Sequence, residues 1–477
     1  MTDLERHALA RLPLAEATLQ LLQFALPDAG LQRLYDEHRG RSYTDVLGFD
    51  TFFHLLRDAL LNRDDSACQH FRKAEANDEL PVTLEAVYGK LRRVPTAVSR
   101  ALFAEGARRL AEVASGAVDP LPACLQAMEV LAFDGKQIKH VKKRLKPLRN
   151  LWGKLGGGKL LVVQDVATHA AVAFEAAEDG LASENTLMDA AVARVRTRPS
   201  DRPRLWIGDR AFGNLVEATR FAEAGESFLL RYHPKTSFTH DSSRVERKGK
   251  TADGLAWREE WGWYGAENDG RRRLVRRIHL ATGKTNAKRK ADHFSVVTDL
   301  LDADAYPAAE LLAAYRRRWG IETLFQEVTE VFHLNQLVGT TPQAMIFQAS
   351  MVLLFSNALR VLTGYLAQSQ KRLPNTVSTE LVFKDVVAQL TAFAIFVEVA
   401  SLGALLPPMT AEELREWLAE RLSKVWTSRW AKQKTVKRKP KPPPTDLKGA
   451  FGSVDRVLRG VHETVPTPTP PRKRKTG

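Results

Sequence analysis

The feature that most constrains the fold is a series of short apolar runs within residues 125–235 of the 477-residue chain. Five of these runs are rich in β-branched or aromatic residues and lead into Gly, Asp or Pro, as buried strands do. Two longer segments have apolar residues at three- and four-residue spacing, as helices do. In chain order these elements are MEVLAFDGK, KLLVVQDVA, AAVAFEAAEDG, the helix SENTLMDAAVARVRTR, RLWIGDRAF, the helix NLVEATRFAEAG and SFLLRYHP.

This order, β-β-β-α-β-α-β, predicts a ribonuclease H-like catalytic core of the α/β class. In such a core the first three strands form an antiparallel meander, and the fourth lies parallel to the first after a helical crossover. Asp134 follows the first run and Asp209 follows the fourth. Because the carboxyl ends of neighbouring parallel strands meet at one edge, we expect these two acids to lie side by side. Asp165, at the end of the second run, is either a rival for the first acid or a structural turn residue.

The stretch YRRRWGIETLFQEVTE, residues 315–330, supplies a third acid. Helical periodicity places Tyr315, Arg318 and Glu322 on one stripe of this stretch. One interpretation is an exposed helix face with an Arg318–Glu322 pair worth about 0.2–0.5 kcal/mol. The other is that Glu322 joins the two aspartates at one end of the sheet.

Three carboxylates at one site would determine its chemistry. Crowded carboxylates repel one another and raise each other's pKa unless cations neutralise them. Hard oxygen ligands suit Mg²⁺ or Mn²⁺, which keep positions open for water and phosphate oxygens. Two such ions roughly 3.5–4 Å apart activate an attacking water or 3′-hydroxyl and stabilise the leaving oxygen. The predicted chemistry is therefore phosphodiester hydrolysis and strand transfer, with two divalent ions as cofactors.

The segments AFDGK, IGDRAFGN and YRRRWGIETLF resemble the three acidic motifs of bacterial insertion-sequence DDE transposases. The resemblance spans roughly residues 85–370. It is closest to the branch with a Tyr-x2-Arg-x3-Glu-x6-Lys signature and a β-rich insertion in the catalytic core. It implies a catalytic, metal-binding triad formed by Asp134, Asp209 and Glu322. It also implies that Tyr315 and Arg318 hold phosphates of the transposon end.

The lysine of that signature is replaced by Thr329. A threonine hydroxyl hydrogen-bonds a phosphate but supplies no charge, which leaves open a weakened or inactive copy. His333 lies one turn further on the same helical face and is a candidate substitute.

In this family the β-rich insertion often places an aromatic ring against a base displaced during hairpin formation. Trp257, Trp261 and Trp263 are the candidates here, and Trp261 is our choice as a DNA contact. Stacking of this kind is worth about 1–3 kcal/mol per base. The alternative is that these tryptophans pack the insertion's own small core.

A basic run follows the first acid. Residues 136–159 contain nine Lys or Arg and no acid, which would position DNA through its phosphates without reading bases. The candidate DNA contacts from this run, together with the arginine that follows Asp209, are Lys136, Lys139, Lys142, Lys143, Arg144 and Arg210. The glycines at 156–158 lack the spacing of a nucleotide-binding loop and precede a strand, so an ATP site is not expected.

Composition agrees with a polyanionic partner. The net charge is +15, and residues 431–477 alone hold 13 Lys or Arg against three acids. The two cysteines are too few for a disulfide framework, and no secretory signal is evident, so we expect a reducing, intracellular setting. The resemblance to bacterial insertion-sequence transposases further implies a cytoplasmic, nucleoid-associated protein. Two apolar segments, at 344–367 and 390–406, are interrupted by polar residues, so buried helices rather than membrane spans are expected.

The pattern divides the chain into several regions. The predicted regions are a helical N-terminal DNA-binding region at 1–118, a catalytic core at 125–235 and 306–340, a β-rich insertion at 236–305, a helical C-terminal region at 341–430 and a disordered basic Pro-rich tail at 431–477. Within the first region, RRVPTAVSRALFAEG resembles a helix-turn-helix reader, with a plain helical bundle as the alternative.

Together these features predict a cut-and-paste DNA transposase. It would bind double-stranded DNA at its terminal inverted repeats, pair two ends as a homodimer, cleave them and join them to target DNA. Two alternatives remain open. One is a catalytically impaired remnant that binds DNA, and the other is a nuclease with the same core that does not join strands.

Overall fold

The computed structural model describes residues 3–40, 46–61, 67–77, 80–139, 156–281, 293–330, 341–394 and 406–433, together with two short strands near the C-terminus. The chain forms two compact units, Met1–Ala431 and Lys432–Gly477. The described part of the second unit is an antiparallel pair, β11 (Asp446–Leu447) and β12 (Thr464–Val465). Most of the predicted disordered tail lies outside the described residues.

The described residues at the start of the first unit form helices. They are α1 (Asp3–Ala10), α2 (Pro13–Ala25), α3 (Asp28–His38), α4 (Phe49–Leu61), α5 (Ala67–Ala76), α6 (Leu84–Arg93) and α7 (Thr96–Glu112). The C-terminal helices of this unit are α12 (Pro342–Ser369), α13 (Thr379–Ala394) and α14 (Ala411–Leu422). Helix α7 packs against α12, α2 and α3, and against an edge strand of the sheet. A Cβ atom on Gly106 of α7 would lie 2.5 Å from the Leu354 side chain of α12, so the glycine permits this close approach.

The position of α7 bears on the helix-turn-helix resemblance. A recognition helix needs an exposed face that enters the major groove. The apolar face of α7, which includes Val98, Leu102, Phe103 and Leu110, is buried between α12 and the sheet. Burial of this apolar face is common to a recognition helix and to a bundle helix, so the helix-turn-helix and the helical bundle both stay predictions for this segment.

The centre of the unit is one mixed ten-stranded sheet. Its catalytic-region strands are β1 (Glu129–Lys139), β2 (Gly156–Asp165), β3 (Ala171–Ala177), β4 (Arg204–Gly208) and β5 (Ser227–Arg231). Strands β1, β2 and β3 form an antiparallel meander, and β4 lies parallel to both β1 and β5. Helix α8 (Glu184–Arg196) makes the crossover to β4, and α9 (Leu215–Glu223) leads to β5. This is the topology that the sequence pattern predicts, a mixed α/β fold consistent with a transposase ribonuclease H-like core.

The following β-rich block continues the same sheet. Its strands are β6 (Phe238–His240), β7 (Arg247–Lys250), β8 (Ala256–Tyr264), β9 (Arg273–Ala281) and β10 (His293–Thr298). The strand order is β3-β2-β1-β4-β5-β10-β9-β8-β6, with β7 paired to β8. Strand β10 thus returns to pair with β5, so the block and the catalytic strands share one hydrogen-bonded sheet.

Helices cover both faces of this sheet. Side chains of α8 and α9 pack on one face around Phe133, Trp206 and Leu230. Helix α10 (Ala308–Arg317) packs on the other face, and α11 (Trp319–Glu330) joins the large helical core nearby. By length and composition α12 could cross a membrane, but 94% of its most apolar window is buried inside the protein.

Candidate active site

Asp134 lies on β1 just beyond the point where pairing with β4 stops, at Ala132–Ile207. The sequence pattern placed this acid at the end of its strand. In the structure β1 continues to Lys139 because β2 goes on pairing with it. One oxygen of Asp134 accepts the Gly135 N–H at 2.9 Å. Burial raises the pKa of Asp134 to about 6, and the charges of the two other acids add to the rise, whereas Arg318 opposes it.

Asp209 follows β4 directly and begins the short 3-10 turn Arg210–Phe212. Strand β4 pairs with β5 in parallel, with Gly208 opposite Leu230, so Asp209 stands beside Arg231. Their side chains form an ion pair, with Arg231 Nη1 at 3.4 Å from Asp209 Oδ1. The parallel strands therefore bring Asp209 to the same edge of the sheet as Asp134, as the predicted topology requires.

Glu322 lies in the first turn of α11. The predicted single helix through this stretch is interrupted, because α10 ends at Arg317 and α11 begins at Trp319. At the break, Arg318 N–H donates to Tyr315 O at 3.0 Å, the tighter spacing of a 3-10 turn. Arg318 Nη2 donates to Glu322 Oε1 at 2.9 Å. The pair is therefore formed, but the Arg318 side chain is only 7% exposed, which excludes the exposed-face interpretation.

One guanidinium group lies between two of the acids and within electrostatic range of the third, Asp209. Arg318 Nη1 lies 3.6 Å from Asp134 Oδ2, and Nη2 binds Glu322. Burial lowers the pKa of Arg318, but the neighbouring Tyr315, Asp209, Asp134 and Glu322 outweigh burial and raise it above its ordinary value. A buried cation surrounded by carboxylates is the arrangement that offsets their mutual repulsion. Asp134, Asp209 and Glu322, which are far apart in sequence, therefore meet at one site.

Unpartnered hydrogen-bond donors lie beside these acids. The Tyr315 hydroxyl and the Nε of Arg318 are buried and find no hydrogen-bond partner among the described residues. Burial raises the pKa of Tyr315 to about 12, so the hydroxyl keeps its proton at neutral pH. Buried donors without acceptors are costly, and an anionic oxygen would satisfy them. These donors suit a phosphate, which is the role that the family resemblance implies for both residues.

The donor set of the site fits a divalent cation. Three carboxylates are hard oxygen ligands of the kind that Mg²⁺ and Mn²⁺ prefer. Among the described residues, the group of potential ligands whose atoms all lie within 4.8 Å of one another is His240, Glu246 and Glu260, whereas the three acids of the site are spaced more widely, with Arg318 between Asp134 and Glu322. That group lies on β6, β8 and the loop before β7. Glu260 Oε1 is also bound by Arg277 and by His279, at 2.6 and 2.7 Å.

The other predicted DNA contacts are placed as follows. Lys136 lies on β1, with Nζ 5.3 Å from the centroid of the Phe325 ring of α11. Arg210 is exposed in the turn after Asp209. Lys139 ends β1, and its side chain lies outside the described residues, as do Lys142, Lys143 and Arg144. The basic run thus begins beside the acids.

Trp261 occupies a different environment from the predicted one. Its side chain is 5% exposed, and Nε1–H donates to Leu301 O at 2.9 Å. In this conformation the ring packs inside the protein against Arg276, whose Cζ lies 5.8 Å from the ring centroid, and it presents no face for a base. Trp263 is the more exposed tryptophan of β8, and Arg272 Cζ lies 5.3 Å from the centroid of its ring. The placement of Trp261 agrees with the alternative of internal packing.

Two further sequence candidates have local roles. Asp165 Oδ1 accepts the backbone N–H groups of Ala167 and Thr168, at 2.9 and 2.7 Å, which is the structural turn interpretation. The Thr329 hydroxyl donates to Phe325 O at 2.6 Å within its own helix. His333 lies outside the described residues.

Arg231 and Phe294 at this site were not among the candidates from sequence. Arg231 pairs with Asp209, and the Phe294 ring packs 5.1 Å from the Tyr315 ring, centroid to centroid. The available signal was an arginine at the end of SFLLR, the strand that follows the Asp209 strand in the chain. This signal identifies a site residue only once β4 and β5 are known to pair with Gly208 opposite Leu230.

Two comparisons with known proteins found a similarity. A family profile described as the Transposase DDE domain matches residues 125–358. The cryo-EM structure of the piggyBac transposase synaptic complex with hairpin DNA aligns over 87% of this chain and 88% of its own, with a TM-score of 0.43 and 11% identity. No curated protein sequence matches the chain. All three acids fall inside the matched segment, so residues 125–358, which hold the candidate site, are similar to a transposase DDE domain.

Proposed function

We propose that this protein is a metal-dependent DNA transposase that cleaves the ends of its own element and joins them to target DNA. The observation that carries the proposal is the buried Arg318 guanidinium in contact with Asp134 and Glu322 and within electrostatic range of Asp209. Three acids grouped near one guanidinium, in a segment that matches the Transposase DDE domain profile, are a suitable ligand set for divalent ions.

The residues of the site divide into two roles. Asp134, Asp209 and Glu322 would hold Mg²⁺ or Mn²⁺, with two ions as the proposed number. Bound ions of this kind activate a water or 3′-hydroxyl nucleophile and stabilise the leaving oxygen. Tyr315 and Arg318 would donate to phosphate oxygens of the bound strand, since both carry buried donors that find no partner in the described structure.

The pKa of Asp134 has a consequence for ion binding. With a pKa of about 6, this carboxyl is partly protonated in slightly acidic solution. A metal ligand must be deprotonated, so ion binding at the site would release that proton and would weaken as the pH falls towards 5. Arg318 keeps its charge throughout and remains available to a phosphate.

The finer assignment is to a bacterial insertion-sequence transposase with the Tyr-Arg-Glu part of the signature. Its partners would be the terminal inverted repeats and target DNA, with a homodimer holding two ends and a nucleoid-associated cytoplasmic location. Thr329 favours a second candidate function, a DNA-binding remnant that does not cut. The Thr329 hydroxyl already donates to Phe325 O and brings no positive charge to the site.

A cleavage assay tests the proposal. Purified full-length protein, Mg²⁺ and labelled duplexes from the DNA that flanks the coding sequence should give both nicked and joined products. Duplex binding without products would favour the remnant. Cleavage without joining would identify a nuclease with the same core.

A single substitution tests the site. Glu322→Gln should lower cleavage by at least about 100-fold, because it removes a metal ligand, while leaving DNA binding largely intact. Glu416→Gln, an exposed position on α14, is the matched control and should cleave normally. Normal cleavage by Glu322→Gln would show that the site assignment is wrong.

A further inference from the structure

A second guanidinium group lies at the edge of the acidic site. Arg231 is the last residue of β5, and its register with β4 sets it beside Asp209. The ion pair between them is long, at 3.4 Å, and the two side chains are 34% and 36% exposed. A half-exposed, loosely bonded pair contributes little to stability. Arg231 can therefore exchange Asp209 for another partner at low cost.

The backbone of Arg231 is held on both sides. It pairs with Val296 of β10 on one side. On the other side the turn after Asp209 packs closely over it, since a Cβ atom on Gly213 would lie 1.7 Å from the Arg231 carbonyl oxygen. The guanidinium is thus carried on a rigid base next to the acids, which is the usual design of a binding residue.

Arg231 also lies close to the unpartnered donors of the site. Its Cζ is 5.9 Å from the centroid of the Phe294 ring, and that ring packs against Tyr315. The Arg231 charge is among the influences that lower the pKa of Tyr315 against the larger effect of burial. Arg231, Tyr315 and Arg318 are therefore neighbours, linked through the Phe294 ring and the Arg318–Tyr315 contact, on the side of the site that also holds Asp209.

We infer that Arg231 is a further phosphate-binding residue of this site. When DNA and metal enter, it leaves Asp209 and donates to a phosphate oxygen of the bound strand, and Asp209 becomes free to bind the metal. This inference rests on the proposed function. It adds to that function a residue, Arg231, that pairs with Asp209 in the free protein and with a DNA phosphate in the complex. A planar guanidinium with five donors suits this exchange between a carboxylate and a phosphate.

The test measures the salt dependence of DNA binding. Full-length Glu322→Gln protein, which should bind duplex without consuming it, is compared with the same protein carrying Arg231→Gln, Arg231→Lys or Arg271→Gln. Arg271 pairs with Asp269 in an exposed turn and serves as the matched control. The probes are duplexes from the DNA that flanks the coding sequence, titrated over a series of KCl concentrations with Mg²⁺ present.

Loss of one phosphate contact lowers the slope of log K against log salt by about 0.9. Arg231→Gln should show that decrease and bind roughly tenfold more weakly at low salt. Arg231→Lys should keep the slope because it keeps the charge, and Arg271→Gln should match the parent. A purely structural role would lower affinity without changing the slope, and thermal unfolding of each variant identifies a folding defect.

The outcomes separate this inference from the function on which it rests. If the parent protein binds duplex with a steep salt slope and Arg231→Gln keeps that slope, the role of Arg231 is refuted and the transposase proposal stands. If the parent binds none of the duplexes, the proposed function itself is refuted.

Discussion

At the scale of single residues, burial of the Asp134 carboxylate lowers the stability of the folded protein at neutral pH. Its carboxyl has a pKa of about 6 in the folded protein against 3.8 ordinarily. The unfolded chain therefore loses this proton more readily, so stability falls as the pH rises from about 4 to about 6 and stays lower above that range. The loss amounts to at most about 3 kcal/mol.

Asp134→Asn should therefore stabilise the metal-free protein. At pH 7.5 we expect a free energy of unfolding higher by about 1–3 kcal/mol, because the amide is not ionised, and a gain that disappears as the pH approaches 4. Chemical denaturation at several pH values measures it. Asp201→Asn, at an exposed position, is the control and should show no such gain. Adding Mg²⁺ should stabilise the wild type and not Asp134→Asn.

The residues that sequence identified and those that it missed differ in a physical way. Asp134 and Asp209 each follow an apolar run, so local pattern together with strand order was enough to pair them. Arg231 has no such mark, because its role comes from the alignment of β4 with β5. Trp261 had the right chemistry for stacking, but its direction depends on which face of β8 is covered, and that is a tertiary property.

At the scale of elements, the turn after β4 is held by a glycine for steric reasons. Gly213 has an ordinary negative φ, so conformation alone would permit alanine. The added Cβ, however, would lie 1.7 Å from the Arg231 backbone oxygen, so one of the two backbone segments must move. Because Asp209 begins the same turn, such a movement displaces a proposed metal ligand.

Gly213→Ala should therefore lower both stability and activity. We expect a loss of about 1–3 kcal/mol from overpacking, together with reduced cleavage. Thermal unfolding and the cleavage assay measure the two effects. Gly270→Ala is the control, because a Cβ atom there meets nothing within 4 Å, and it should be close to neutral. Wild-type behaviour of Gly213→Ala would contradict the packing described for this turn.

The order of the catalytic strands and helices could be predicted from sequence. The joining of the 236–305 strands to the same sheet and the helix break at Arg318 could not. The strands between residues 236 and 305 had recognisable turn signals, yet their membership in the central sheet depends on the return of β10 to β5. The break between α10 and α11 at Arg318 is not predicted by a proline in the sequence. It follows from the docking of α10 and α11 onto different parts of the core.

At the scale of the whole molecule, positive charge is concentrated beyond the first compact unit. The first unit ends at Ala431, and residues 431–477 contain 13 Lys or Arg against three acids. Charge of this kind binds phosphates without regard to base sequence. We therefore expect that nonspecific DNA affinity, supplied by the basic tail, can be removed without removing the cleavage chemistry of the acidic site.

Removing residues 432–477 tests this separation. The shortened protein should lose several units of salt slope in binding random duplex, because each phosphate contact contributes about 0.9. Its melting temperature should stay unchanged, since Met1–Ala431 is a compact unit by itself. A neutral Gly/Ser tail of equal length is the control for chain length. An unchanged slope would assign nonspecific binding to the first unit instead.

The order of strands in the sheet also determines when the three acids can come together during translation. When a ribosome has made β5, two of the three acids exist, but β5 still has a bare edge that β10 will later cover. The third acid arrives only with α11, after β10 has closed that edge. Under the proposed function, a polypeptide that terminates before Glu322 would carry an incomplete triad and could not cut DNA. Competence to cut would be reserved for chains that have passed α11.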